Sequence, residues 1–182
     1  TDLAETKAAL LAAKETCDLP ALCSMTFEEN GRTFTGVDIP SMALTLEGLG
    51  ADAIGINCSL GPVEIEPLVR QLLEWTRLPV VIMPNAGLPV MEGDTLRYSI
   101  TQEEFVAQMA KYADLGVAGF GGCCGTTPEY IAGLRRMLDQ KKRVVLSPPR
   151  RSALCSGSHT EVIDGAKIIG ERINPTGKKL FK

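Results

Sequence analysis

Six cysteines and a single histidine limit the chemistry open to this 182-residue chain. Three of the thiols stand where an apolar run gives way to a turn: Cys58 in "GINCSLGP", and Cys123 and Cys124 in "GGCCGTTPEYI". The one histidine, His159, lies in the polar run "CSGSHTE", which removes most Ser-His and Cys-His nucleophile schemes and any His-rich metal site. Chemistry here therefore runs on sulfur. Three thiolates suit a soft ion such as zinc, bound at about 2.3 Å, and a set of three protein ligands leaves a fourth position open, as catalytic zinc sites do. A helix starting just after Cys124 points its positive end at the thiols and favours the thiolate form. Two other readings of the same residues stay open. The adjacent pair Cys123–Cys124 could form a redox-active vicinal disulfide, and "GFGG" at 119–122 could cradle a phosphate at a helix N-terminus, although no basic residue adjoins it. Cys17, Cys23 and Cys155 stand in no such pattern and read as small hydrophobes.

The elements that must position these thiols alternate between two periods. "ALCSMTF" (21–27), "AIGINC" (53–58), "PVVIMPN" (79–85) and "GVAGFGG" (116–122) read as buried parallel strands. Between them, Ile65, Val69, Leu72 and Thr76 share one helical face, and Phe105, Met109, Tyr112 and Ala113 share another behind a Thr101–Glu104 capping box. A further helix starts near Thr126 or Thr127, with Pro128 in its first turn and Ile131, Leu134 and Leu138 expected on its core face. Strand starts fall roughly 26 to 37 residues apart, the rhythm of βα units. The class is α/β.

An internal repeat narrows the fold. Shifted by 66 residues, "LGADAIGINCSLGPVEIEPL" lies over "LGVAGFGGCCGTTPEYIAGL", so that Cys58 and Cys124 occupy equivalent places two βα units apart. Such symmetry suits a closed (β/α)8 TIM barrel, whose active site gathers at the C-terminal ends of the strands. Two strand tips flanking a third stand about 10 Å apart, a gap that inward-leaning side chains can close onto one ion. Asn85, in "MPNAGLP", ends the intervening strand and reads equally as a turn residue and as an amide near the ion's open face. Four units make only the C-terminal half of a barrel. The chain starts in mid-pattern without an initiator Met, so the expectation is a piece whose first four units precede Thr1 and which is inactive alone. Residues 1–142 form that half, 143–166 read as a linker rich in proline and serine, and 167–182 open a fresh strand of a second barrel.

Composition excludes several classes. A net charge of −3 gives no electrostatic footprint for nucleic acid or an anionic membrane. No apolar run reaches the roughly 18 residues of a spanning helix, and the N-terminal stretch lacks the apolar core of an export signal. With 45% hydrophobic residues the chain needs no disulfide staples, so a cytoplasmic setting with reduced thiols is expected.

At "GINCSLGP", "PNAGLP" and "GGCCGTTPEYI", in that order and joined by "SMTFEENGRTFTG", the chain resembles the homocysteine S-methyltransferase domain over about residues 1–142. The tail "IIGERINPTGKKLF" resembles the opening strand of the pterin-binding barrel that follows this domain in the cobalamin-dependent methionine synthase family. That resemblance implies zinc held by Cys58, Cys123 and Cys124, with the homocysteine thiol bound at the open position as a thiolate. It tips Asn85 toward the metal, as an oxygen ligand that yields to substrate. It implies a methyl group carried by cobalamin and recharged from methyltetrahydrofolate, both bound on cobalamin-binding and pterin-binding modules outside this chain. Glu171 and Asn174 match tail positions that touch the pterin in relatives. A phosphate-binding barrel and a non-catalytic zinc-thiolate module are the alternative readings.

Overall fold

The computed structural model describes residues 2–145, 147–148 and 151–168. Glu171 and Asn174 lie outside the described residues. The strands β1 (Leu22–Met25), β2 (Ala53–Asn57), β3 (Val80–Met83) and β6 (Gly119–Phe120) pair in parallel in the order β1-β2-β3-β6. Strand order follows chain order, with no reversal of the kind that makes a doubly wound sheet. All four expected strands are present and somewhat shorter than the apolar runs that announced them.

Register decides which side chains face the helices. Cys23 aligns with Ile54 and Ile54 with Val80, while Met25 aligns with Ile56 and Ile56 with Ile82. Because side chains alternate along a strand, these six share one face. They pack into a single core with Met42 and Leu46 of α2 (Ile39–Gly48), Val69 and Leu72 of α3 (Glu66–Trp75), and Phe105 and Met109 of α4 (Gln102–Asp114). The helix α1 (Leu3–Thr16) adds Leu3 and Leu10. The opposite face carries Leu22, Ser24, Ala53, Gly55, Asn57, Val81 and Met83, of which only Gly55, with no side chain, is buried; Leu22 is 50% exposed. A parallel sheet ordinarily buries both faces, and this one buries only the helix side.

Helix starts follow the local chemistry. Thr101 caps α4 through a complete capping box, its hydroxyl accepting from the Glu104 N–H while the Glu104 carboxylate accepts from the Thr101 N–H at 2.9 Å. Such a cap contributes about 1 kcal/mol. The expected faces of α3 and α4 are buried as read: Ile65, Val69, Leu72 and Thr76, and Phe105, Met109, Tyr112 and Ala113. The expected face of α5 (Pro128–Asp139) is not. Ile131 and Leu138 are 46% and 36% exposed, and only Leu134 of that triplet is buried. Gly133 is the reason. A Cβ there would lie 2.7 Å from Val106 Cγ2, so α4 packs directly on the Gly133 backbone and rotates the buried stripe to Gly133, Leu134 and Met137.

Two antiparallel hairpins complete the described chain. β4 (Pro89–Glu92) and β5 (Thr95–Tyr98) project between β3 and α4 around a Gly93–Asp94 turn, with Gly93 at φ 63°. β7 (Ala153–Cys155) and β8 (Thr160–Val162) fall in the stretch read as a linker and lie on α2. There Ser41 and Thr160 share a hydroxyl hydrogen bond of 2.9 Å, and Arg32 Nη1 donates to the Ser158 carbonyl at 2.8 Å. Arg151 stacks 4.7 Å over the Trp75 ring. Strands of three residues are too short to leave a readable period.

Packing around Val81 gives a direct check. A Cβ on Gly55 would meet the Val81 carbonyl oxygen at 2.3 Å, backbone that cannot step aside, whereas one on Gly48 would meet nothing within 4 Å. Gly55→Ala should lower unfolding free energy by about 1–3 kcal/mol or more in urea titrations. Gly48→Ala, at the end of α2, should raise it by about 0.5–1 kcal/mol.

Candidate metal centre

The central strand β3 organises the site from its C-terminal end. On one side the Met83 carbonyl accepts from the Cys58 N–H at 3.0 Å; on the other the Pro84 carbonyl accepts from the Cys123 N–H at 2.9 Å, and the Ile82 carbonyl from Gly121. The chain after β3 thus holds both cysteine loops in backbone register. Asn85, 6% exposed, completes the tie. Its N–H donates to the Leu60 carbonyl at 3.0 Å, and its Oδ1 accepts from the Cys124 N–H at 3.1 Å. The Asn85 side chain also hydrogen-bonds the Cys58 sulfur.

Those ties bring the three thiols together. Cys58 Sγ lies 3.7 Å from Cys124 Sγ, Cys123 Sγ lies 3.9 Å from Cys124 Sγ, and all three sulfurs fall within 4.8 Å of one another. Cys58 and Cys123 are half-buried and Cys124 is exposed. A tetrahedral ion bound by sulfur at about 2.3 Å requires sulfur–sulfur edges of about 3.8 Å. The donor set and its spacing fit zinc. Cys17, Cys23 and Cys155 take no part; Cys155 lies beside Thr45 and the Ser41 carbonyl on α2.

Backbone strain aims Cys58. Cys58 and Ser59 both adopt φ 61°, a left-handed conformation that costs a non-glycine residue about 1–2 kcal/mol each. The consecutive turn brings the Ser59 N–H onto the Cys58 sulfur. Burial pushes the Cys58 thiol up, but the Ser59 N–H, the two neighbouring thiols and the Asn85 amide outweigh it and hold Cys58 below the ordinary thiol range. Cys123 goes the other way. Burial, then its hydrogen bonds with Cys58 and Cys124, push it up to about 11. The two thiols are thus pushed in opposite directions, the pattern of like groups sharing a site.

Four N–H groups in and after the glycine-rich loop are already engaged within the protein. The N–H groups of Gly121, Cys123, Cys124 and Thr126 all donate within the protein, to Ile82, Pro84, Asn85 and Cys123 respectively. A phosphate there would find them occupied. Tyr98 is the site residue that the sequence reading missed. It ends β5, and its ring lies against Gly125, next to Cys124. The available signal was the Gly93–Asp94 pair, which suits a tight hairpin turn.

The homocysteine S-methyltransferase family profile matches residues 1–138. The methionine synthases of Mycobacterium leprae and Mycobacterium tuberculosis are each 34% identical to the chain, over 195 and 190 residues, covering all of it. The chain spans 16% of the length of each of these relatives. The crystal structure of the homocysteine methyltransferase MmuM of Escherichia coli, apo form, superposes with a TM-score of 0.60 at 24% identity, over 75% of this chain and 46% of that one. Its metallated form gives 0.59 at 24% identity, over 74% and 41%. A profile that matches residues 1–138, with relatives 34% identical along the whole of this chain, places it: the chain belongs to the homocysteine S-methyltransferase family.

Proposed function

We propose that this chain is the sulfur-activating part of an enzyme that makes methionine from homocysteine, with zinc held by Cys58, Cys123 and Cys124. The observation that carries this reading is the sulfur triangle, whose 3.7 and 3.9 Å edges suit one tetrahedral ion and leave its fourth position unfilled by any cysteine. Zinc bound there would lower the pKa of an incoming homocysteine thiol from its usual value of about 8.5, so that it stays a thiolate at neutral pH.

The chain's own residues divide the remaining tasks. The three cysteines supply negative charge that keeps an incoming sulfur electron-rich enough to attack a methyl group. Asn85 locks the two cysteine loops together, and its Oδ1, which accepts the Cys124 N–H, has a second lone pair for a metal in the absence of substrate. The methyl group comes from methyltetrahydrofolate by way of cobalamin, on modules beyond residues 1–142. Residues 143–166 serve as the connection. Residues 167–182 start the pterin-binding barrel, with Glu171 and Asn174 as its first pterin contacts. The half-buried second face of the sheet and its chain-order topology support the reading of four βα units as half of a (β/α)8 barrel. A cytoplasmic setting suits six unpaired thiols. Among the described residues no helix is long and apolar enough to cross a membrane.

Three measurements test the reading. Metal analysis of the intact protein should give one zinc per chain. Cys58→Ser should lose most of it, while Cys17→Ser, Cys23→Ser and Cys155→Ser retain it; full zinc in the Cys58 variant would refute the three-thiolate site. Affinity should also follow pH. Cys123, pushed up to about 11, is protonated at neutral pH without metal, so loading must expel its proton. Apparent zinc affinity should then fall about tenfold per pH unit of acidification for each proton expelled. X-ray absorption at zinc should show three sulfurs and one oxygen or nitrogen without substrate, and four sulfurs with homocysteine. Asn85→Ala should alter only the substrate-free spectrum. An unchanged shell on adding homocysteine would leave a zinc-thiolate module without this chemistry.

A further inference from the structure

The β7–β8 hairpin is held to the domain by polar groups along its length. Asp38, at the start of α2, stands about a turn from Ser41, and Ser41 about a turn from Thr45, so the three form one polar stripe beneath the hairpin. Thr160, opening β8, shares a hydrogen bond of 2.9 Å with Ser41 Oγ and donates to Asp38 Oδ1 at 3.4 Å. Cys155 Sγ, ending β7, lies 3.6 Å from Thr45 Oγ1. At the hairpin's turn, Arg32 Nη1 donates to the Ser158 carbonyl at 2.8 Å and to the Gly36 carbonyl of its own loop at 2.8 Å. Just before β7, Arg151 stacks on Trp75 and lies 3.7 Å from Glu74.

Little apolar surface backs these bonds. Leu154 of β7 is 58% exposed, and Ile163, next after β8, is 41% exposed. The hairpin also closes on itself. The Ser156 N–H donates to the His159 carbonyl at 2.8 Å and the Ile163 N–H to the Ser152 carbonyl at 2.7 Å. Lys167 folds back on Glu161 and Asp164 at 2.8 and 3.0 Å. Lifted off α2, the hydroxyls, the guanidinium and the Ser158 carbonyl would each find water in place of the lost partner. Lifting α3 or α4 would instead expose Val69, Leu72, Phe105 and Met109, all 0% exposed. A contact as polar as the hairpin's has the character of an interface between domains that move, not of a core.

We propose that the β7–β8 hairpin is a releasable latch: docked on α2, it fixes where the chain past residue 168 leaves the domain, and undocked, it frees that chain as one unit. The docked hairpin reaches from Trp75, at the end of α3, to the loop 26–38 that follows the C-terminal end of β1. It thereby joins the point of exit to the end of the sheet where the thiols lie. On the methyl-transfer reading above, modules beyond residues 1–142 must approach and leave that end, and a permanently docked connection would hold them in one place. The latch stands on its own contacts; only this use of it rests on that reading.

Hydrogen exchange and tryptophan fluorescence of the intact protein test the latch. Thr160→Val removes the hydroxyl that meets Ser41 and Asp38, and Arg32→Met removes the tie to the turn. Amides of residues 151–163 should exchange about 3- to 10-fold faster in either variant, the factor one ordinary hydrogen bond contributes to a local opening. The combined variant should exceed both, while amides of α3 and α4 keep the parent rate. Trp75 is the only tryptophan, so its emission should change along with the exchange as Arg151 leaves the ring. Parent rates at 151–163 in all three variants would overturn the latch. So would a rise shared equally by α3 and α4, the mark of a loosened domain, or faster exchange with unchanged Trp75 emission, the mark of a frayed turn. Neither readout involves zinc or homocysteine, so the latch and the methyl-transfer reading fail separately.

Discussion

Three consecutive carbonyls at the end of β3 carry the site. Ile82 and Pro84 hold Gly121 and Cys123 on one flank, and Met83 holds Cys58 on the other. A strand's carbonyls point alternately to its two neighbours, so a central strand that runs slightly past its ladder can grip the loops on both sides at once. The two loops come from elements 66 positions apart, and two further backbone bonds, Asn85 N–H to the Leu60 carbonyl and Ala86 N–H to the Cys124 carbonyl, reinforce the grip on each. Proline at 84 fits this role, because it keeps the chain extended and offers an acceptor without a competing donor. Asn85 then adds a side chain that bonds both loops, at Cys124 and at Cys58.

Local strain gathers around that grip. Cys58 and Ser59 hold a left-handed backbone that side chains disfavour, and a Cβ on Gly61 would lie 2.8 Å from the Gly87 Cα, so the two loops touch through glycine backbone. These costs, a few kcal/mol together, are offset by the core beneath. Ile54, Ile56, Val80 and Ile82 are buried to within 2% of completely, each contributing about 1.5–3 kcal/mol against exposure. Rigid strands below and strained loops above are the usual division in a barrel-type site.

The peripheral pieces follow a different logic. Both hairpins bury little, and Val90 and Met91 of β4 stand exposed. Such segments hold their place through a few backbone ties at the base and one or two side chains at the end, Tyr98 on Gly125 in one case and Arg151 on Trp75 in the other. The rotated face of α5 belongs with them. Its buried stripe was set by a neighbour approaching Gly133, a contact that apolar spacing does not record.

The sequence alone determined the βα rhythm, the four strands, the faces of α3 and α4, the capping box at Thr101, and the equivalence of Cys58 and Cys124. All of these are written in short-range spacing or in a repeat, and short-range spacing is what secondary structure reads directly. The family was legible as well, because its residues cluster in three uninterrupted motifs. Tertiary structure decided the rest. The sulfur–sulfur distances, the opposite shifts of Cys58 and Cys123, the bonds that hold the Gly121 and Cys123 N–H groups on Ile82 and Pro84, and the arrival of Tyr98 on Gly125 all depend on contacts between loops distant in sequence. A periodicity fixes which face of an element is buried; it carries no record of which distant backbone group will occupy a given hydrogen bond.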